Sequence, residues 1–161
     1  MHPHIITKAN DAGFSESAGT LLILPYGAED TLSIISALDG RRESVDTVIS
    51  ILTLCTVPEP ELTLHRLVHD ILKPGGQFLF YEHILSPRAD VAWWQRVWSP
   101  IWGLFMDGCR LDRPTHVWVQ KMGVGVGDDG VWKEGRVWDK GDDSEENLFY
   151  HKIGKFIKKV I

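Results

Sequence analysis

The feature that narrows the folding options of this chain furthest is a run of thirteen residues, Val45 to Val57 (VDTVISILTLCTV), that is β-branched and nearly continuous in apolar side chains. Such a run reads as a strand covered on both faces, the environment of parallel sheets flanked by helices. The next residues along the chain fit that setting. Pro60 suits a first helical position, and Leu64, Leu67, Val68, Ile71 and Leu72 recur at helical spacing. Lys73-Pro74-Gly75-Gly76 ends the pattern, and Gln77 to Tyr81 (QFLFY) reads as a second strand. Upstream, Thr20 to Leu24 (TLLIL) is a short apolar run closed by Pro25 and Gly27, expected as a buried strand. Residues 1–14 suggest a short helix stopping at Gly13, and Leu32, Ile34, Ile35 and Leu38 suggest another ending near Gly40. Alternation of strand and helix predicts an α/β fold with a mostly parallel sheet and helices on both faces. In such sheets ligands bind beyond the carboxyl ends of the strands. The residues to search are therefore Gly27 to Asp30, Thr53 to Val57, and Glu82-His83.

The second half of the chain is different. Residues 89–106 carry Trp93, Trp94, Trp98 and Trp102, then Phe105 and Met106, in an expected helix interrupted by Pro100. Residues 123–146 hold eight acidic residues against three basic ones and read as a solvated excursion. Leu148 to Ile161 reads as a closing strand. The whole is expected to be one domain, 1–161, with a Trp-rich lid or substrate segment at 85–122 and an acidic, Gly-rich loop at 123–147. At 161 residues it is one domain's worth of chain. A net charge of −5 argues against a nucleic-acid partner, which would call for a basic patch. No apolar run approaches the roughly 20 residues that span a bilayer. Two cysteines, Cys55 and Cys109, are too few for a disulfide framework, and a reducing, cytoplasmic setting is expected.

Several local patterns carry competing meanings. Gly123-Val124-Gly125-Val126-Gly127 looks like a nucleotide loop, with Val117 to Val119 as its strand, yet no helical periodicity comes after it, and a loop is the better reading. His65 and His69 have a metal-compatible spacing, but the run His-Arg-Leu-Val-His lacks the zinc-protease glutamate, which favours a solvated helix face. Cys55 reads more readily as a small buried hydrophobe than as a nucleophile. The tryptophan cluster admits three readings: core, a lid over a ligand site, or an interfacial surface touching a membrane.

One combination is more specific than any of its parts. Val45-Asp46-Thr47-Val48, Leu54-Cys55-Thr56-Val57-Pro58-Glu59-Pro60, Leu72-Lys73-Pro74-Gly75-Gly76 and Phe80-Tyr81-Glu82-His83 together resemble the second half of class I S-adenosylmethionine-dependent methyltransferases. Within these the chain looks most like the methyltransferase-like thiol methyltransferases and their fungal relatives, akin to the ubiquinone-type enzymes. Trp94-Gln95, Pro100-x-Trp102 and Gly108-Cys109-Arg110-Leu111-x-Arg113 are similar to the same family's lid, and Asn147-Leu148-Phe149-Tyr150-His151-x-x-Gly154-x-Phe156 to the fungal carboxyl end.

The resemblance implies a partial Rossmann-like sheet lacking its first two strands, with S-adenosylmethionine as cofactor and methyl transfer to a small, apolar or aromatic acceptor of secondary metabolism. It places Gly27, Ala28, Glu29 and Asp30 at the adenine, Leu54 and Cys55 at the cofactor's methionine portion, and Glu82 near the substrate. Trp94, Trp98 and Trp102 would wall the substrate. His83 is the candidate base, since an unperturbed imidazole titrates near neutral pH. The family's glycine-rich loop and ribose-binding acid have no counterpart here, so Met1 is expected to match an internal methionine of a longer parent. Strand 20–24 would then pair with the next strand directly, pair with another copy, or leave an open edge. The competing class is a truncated, inactive homologue that binds a partner.

Overall fold

A computed structural model of the protein describes residues 3–123, 130–141 and 143–160. Helices α1 (Pro3–Asp11) and α2 (Thr31–Ala37) precede strand β1 (Val45–Ile51). Helix α3 (Pro60–Arg66) widens into a π-helical turn (Leu67–Ile71) that runs straight into strand β2 (Leu72–His83). Helices α4 (Ala89–Phe105) and α5 (Thr115–Lys121) come next, then strands β3 (Trp132–Asp139) and β4 (His151–Lys158). Helices at 3–11 and 31–37, Pro60 at a first helical position and a closing strand all match the sequence pattern.

The sheet order is β1-β2-β4-β3. β1 and β2 are parallel and joined by the α3 crossover, as the alternation predicts, while β2–β4 and β3–β4 are antiparallel. The sheet is thus mixed rather than mostly parallel. The Lys73-Pro74-Gly75-Gly76 turn lies inside β2: Leu72 pairs with Val45 and Gln77 with Thr47, so the residues between them bow out of the ladder. Gly75 has φ +76 there, the left-handed region that favours glycine.

Five expectations are corrected. Residues 20–24 form no strand; they run extended beside the 15–20 turn, with Leu22 exposed, because no partner backbone lies alongside to complete a ladder. β1 stops at Ile51, and its apolar continuation folds into a turn. β1 is also not covered on both faces, since Ile49 and Ile51 are 61% and 60% exposed. The 123–147 excursion contains β3, an edge strand in which Trp132 alone is fully buried. Its charged side chains keep an exposed edge soluble, which hides a strand from a composition reading. Val117 to Val119 belong to α5, not to a strand, and of the Gly123–Gly127 pattern residues 124–127 lie outside the described residues.

The main core gathers Leu54, Val57, Leu64, Val68, Leu72, Phe78, Phe80, Val119, Trp132 and Phe156 on one face of the sheet. Glycines make room for its rings. A Cβ at Gly154 would lie 2.1 Å from the Phe80 ring, and one at Gly135 2.2 Å from the Phe156 ring. At the start of β2, Lys158 is buried to 4% exposure, and its ammonium donates to Val68 O (2.9 Å), Leu72 O (2.8 Å) and Glu43 Oε1 (2.5 Å). A cation there satisfies carbonyls left open by the helix end.

Candidate functional site

The other end of β2 holds the chemistry. Glu82 and His83 close that strand, and the turn after β1 brings Leu54 and Cys55 beside them. Leu52, with φ +50, makes the abrupt change of direction, a sparsely populated conformation for a leucine. Glu82 organises the junction. It is fully buried, and its Oε1 accepts from Ser50 Oγ (2.7 Å), Thr53 N (2.9 Å) and Leu54 N (3.1 Å). Its Oε2 is buried without a hydrogen-bond partner. Arg113 clamps the turn from the other side, donating to Leu54 O (2.6 Å) and Val57 O (2.7 Å).

Cys55 sits in this turn at 1% exposure. Burial pushes its thiol well above the ordinary range, Cys109 and the Glu82 charge add to the rise, and Arg113 opposes it. Cys109 arrives from the turn after α4, where Asp107 and Gly108 both have positive φ, and its thiol donates toward Cys55 Sγ at 3.3 Å. Arg110 N donates to Cys55 O (2.8 Å) and so ties the two turns together. Ser99, Arg110 and Asp112 lock the same turn onto α4 through a shared network.

His83 Nδ1 lies 3.6 Å from Cys109 Sγ. Burial, then the neighbouring His151, push the imidazole down to about 4, with Asp143 opposing. Burial and His151 thus hold His83 below the near-neutral range that suits a general base, which weakens it as a proton acceptor. His83 belongs instead to an aromatic row. Tyr81 stacks on His151 (4.9 Å), His151 lies tilted against His83 (4.4 Å), His83 meets Phe149 (6.0 Å), and Phe149 meets Trp102 (4.7 Å). His151 is held by Asp143 through its ring Nδ1 (2.7 Å) and its backbone N–H (2.9 Å).

That row ends at an apolar cavity of about 270 Å³, walled by Trp98, Ile101, Trp102, Phe105, Leu111 and Phe149. Larger hollows of about 520–550 Å³ lie over β3–β4 and beside α3. None of the three is lined by the strand-end residues, and the apolar one adjoins them through the Phe149–His83 ring contact. Of the three tryptophans expected at the substrate, Trp98 and Trp102 line it, whereas Trp94 packs edge-on against Trp93 (4.7 Å) and stands half exposed. Gln95 holds α4 in place, accepting from Ser86 N (2.7 Å) and donating to Ile84 O and Leu148 O (3.0 Å each).

The turn at 27–30 plays a visible structural part. Asp30 caps α2 by accepting from Ser33 N (3.1 Å), which lowers its pKa, and Ala28 packs on the main core. Gly27, Glu29 and Asp30 are exposed. His65 and His69 stack at 4.1 Å on the outer side of α3 and its π turn, with His65 exposed. Cys109, Phe149 and His151 carry no sequence signal that marks them as site residues. Gly108-Cys109-Arg110 marks a turn, but nothing in its spacing points to Cys55 or His83.

Comparison with known proteins gives two kinds of likeness. Thiol S-methyltransferase TMT1B of Rattus norvegicus is 42% identical over 79 residues, which is 48% of this chain and 32% of that one. Human thiol S-methyltransferase TMT1A is 44% identical over 73 residues, 45% of this chain and 30% of its own length. The chain therefore matches about a third of the length of these relatives. No family model matches it. Among solved structures, a SAM-dependent methyltransferase of Thermotoga maritima superposes with a TM-score of 0.56 at 17% identity, covering 87% of this chain and 65% of that one. A methyltransferase solved in complex with the Haloferax volcanii Trm112 activator gives 0.56 at 17%, covering 99% and 69%.

Proposed function

We propose that this chain, which has the Rossmann-like fold of the class I methyltransferases and shares sequence with thiol S-methyltransferases, serves S-adenosylmethionine-dependent methyl transfer to a small apolar acceptor, a thiol first among the candidates. The observation that carries this reading is the meeting of the two parallel strand ends, Thr53 to Cys55 and Glu82-His83, beside the cavity walled by Trp98, Trp102 and Phe149. Carboxyl ends of parallel strands are where α/β folds bind ligands. The residues suit the cofactor's chemistry. Its methionine portion carries positive charge, and Glu82 Oε2 is a buried acceptor without a protein partner beside Leu54 and Cys55.

When bound, the cofactor supplies an electrophilic methyl group. The chain's own contribution is placement: an apolar wall that excludes water and positions the acceptor for in-line displacement. Because burial makes the His83 imidazole a weak proton acceptor, an acceptor that arrives already deprotonated suits the site best. Gly27, Ala28, Glu29 and Asp30 are the proposed adenine contacts. Asp30 keeps Oδ2 for such a contact while Oδ1 caps α2.

Titration calorimetry of S-adenosylhomocysteine into the purified chain tests this. Micromolar binding that weakens at least tenfold in Glu82→Gln supports it. A folded chain that does not bind overturns it and leaves the reading of an inactive, partner-binding homologue.

A second reading concerns location. Trp93, Trp94, Val97, Ile101, Leu104 and Phe105 give α4 an exposed apolar flank, while among the described residues no helix is long and apolar enough to cross a membrane. The flank supports contact with a membrane surface. Flotation with phosphatidylcholine vesicles checks it, and partitioning unchanged by Trp93→Ala with Trp94→Ala counts against it. The open edge of β1, with Ile49 and Ile51 exposed, is the place where a second copy would pair. Sedimentation velocity reads that directly.

A further inference from the structure

We infer that Cys55, Cys109 and His83 form a binding site for one thiophilic d¹⁰ metal ion, zinc(II) by the chemistry of its donors. The three ligand atoms lie within 4.8 Å of one another. The two sulfurs are 3.3 Å apart, and Cys109 Sγ is 3.6 Å from His83 Nδ1. Zinc bond lengths of about 2.3 Å to sulfur and about 2.0–2.1 Å to nitrogen put tetrahedral donors roughly 3.4–3.8 Å apart. The Cys109–His83 gap already has that value, and the two sulfurs lie slightly inside it. Two sulfurs and an imidazole are the donors that zinc favours over magnesium or calcium.

The donors are held before any ion arrives. Cys55 is fixed by the Arg110 N–H on its carbonyl and by Arg113 on both sides of its turn. His83 is fixed by its register opposite His151 and by the tilted ring contact between them. Cys109 is fixed by the turn that Ser99 and Asp112 lock to α4. Charge also closes. Two metal-bound thiolates and the Glu82 carboxylate would carry three negative charges, which Arg113 and a dication balance. Three protein donors leave one tetrahedral position open, the pattern of zinc sites that exchange a ligand rather than of closed structural ones.

A thiol pair alone would be read as a latent disulfide, and it is His83 on the same cluster that favours the metal. The stacked His65–His69 pair offers only imidazoles and no third donor among the described residues. The site shares Cys55 and His83 with the strand-end junction proposed for methyl transfer, but its test reads metal binding alone, so either reading can fail without the other.

Cobalt(II) titrated anaerobically into the reduced full chain provides the test, and zinc(II) is then added to displace it. The expected result is one ion per chain, with a thiolate-to-cobalt charge-transfer band and the intense visible absorption of a tetrahedral site. Both should vanish in Cys109→Ala and in His83→Ala and persist in His65→Ala. In parallel, zinc(II) should slow alkylation of Cys55 and Cys109 in the wild-type chain at least tenfold, read by peptide mass, which needs no variant to fold. Absence of the band in folded wild-type chain overturns the inference, as does its survival in Cys109→Ala. Thiols that zinc leaves unprotected, yet that mild diamide couples with loss of two hydrogens, would mark a redox pair instead and overturn it too.

Discussion

The two ends of β2 each bury a carboxylate or ammonium side chain and treat it in opposite ways. At the amino end, Lys158 spreads its ammonium over two buried carbonyls and a carboxylate. At the carboxyl end, Glu82 places three donors on Oε1 and leaves Oε2 with none, while Leu52 is strained beside it. A polar group left open inside a protein costs about 1–3 kcal/mol, so the fold carries at one end a cost that it avoids at the other. The unsatisfied end is also where the thiols, the imidazole and the apolar cavity meet. Lys158 completes the fold; Glu82 leaves something for a ligand to complete.

The sharpest way to break this contrast is to remove each charge. Glu82→Leu strands the Ser50 hydroxyl and two backbone N–H groups and should lower stability in urea by about 3 kcal/mol or more. Glu82→Gln keeps an acceptor and should cost less than half as much. Lys158→Met should cost about 2 kcal/mol by exposing two carbonyls to an apolar neighbour, with S-adenosylhomocysteine affinity unchanged in the folded fraction. If Lys158→Met weakened that affinity as much as Glu82→Gln does, the two ends would not be separate in function.

Acid gives a smaller effect. His116 on α5 is half-buried with its Nδ1 buried and unpartnered, and burial together with Lys152 pushes it down to about 4, against the opposing pull of Asp139. The unfolded imidazole takes up a proton below its usual 6.5, the folded one only below about 4. Between those values the unfolded state binds more protons, so stability is full above 6.5 and declines as the pH falls. His116→Gln should flatten that slope in urea midpoints measured across the range. Least of all should be the change on the outer flank of α4. Trp98→Ala should weaken binding of an apolar probe several-fold by opening the cavity wall, and Trp94→Ala should leave it unaltered. Equal losses would mean that the whole tryptophan segment lines the site.

The β1–α3–β2 unit is legible in the sequence because each of its boundaries is a chemical event. A β-branched run, a proline at a first helical turn and a Pro-Gly-Gly break leave few alternatives. Strand β3 is not legible, because an edge strand with one buried residue, Trp132, carries charges like a loop. Residues 20–24 fail in the opposite sense: TLLIL has strand composition, but a strand also needs a neighbour, which composition does not report. The site is half legible. Glu82, His83 and Cys55 stand out by their places at strand ends, and the resemblance supplies their neighbourhood. Cys109 joins them only through the fold, 54 residues from Cys55, a spacing that matches no local metal or redox motif. The low pKa of His83 depends on burial against His151, which no linear pattern encodes.

The position of β2 between β1 and β4 also sets an order of events during synthesis. Its parallel neighbour precedes it by some thirty residues, but its antiparallel neighbour lies more than seventy residues further on, and Phe78 and Phe80 are closed over only when Phe156 arrives. A nascent chain therefore exposes two phenylalanines and a whole strand edge until the ribosome has nearly reached Lys158. Long-range pairing of that kind slows folding and prolongs the interval in which chains stick to one another. Chaperone demand for this protein should accordingly depend more on how fast its last strand is translated than on how stable the finished sheet becomes.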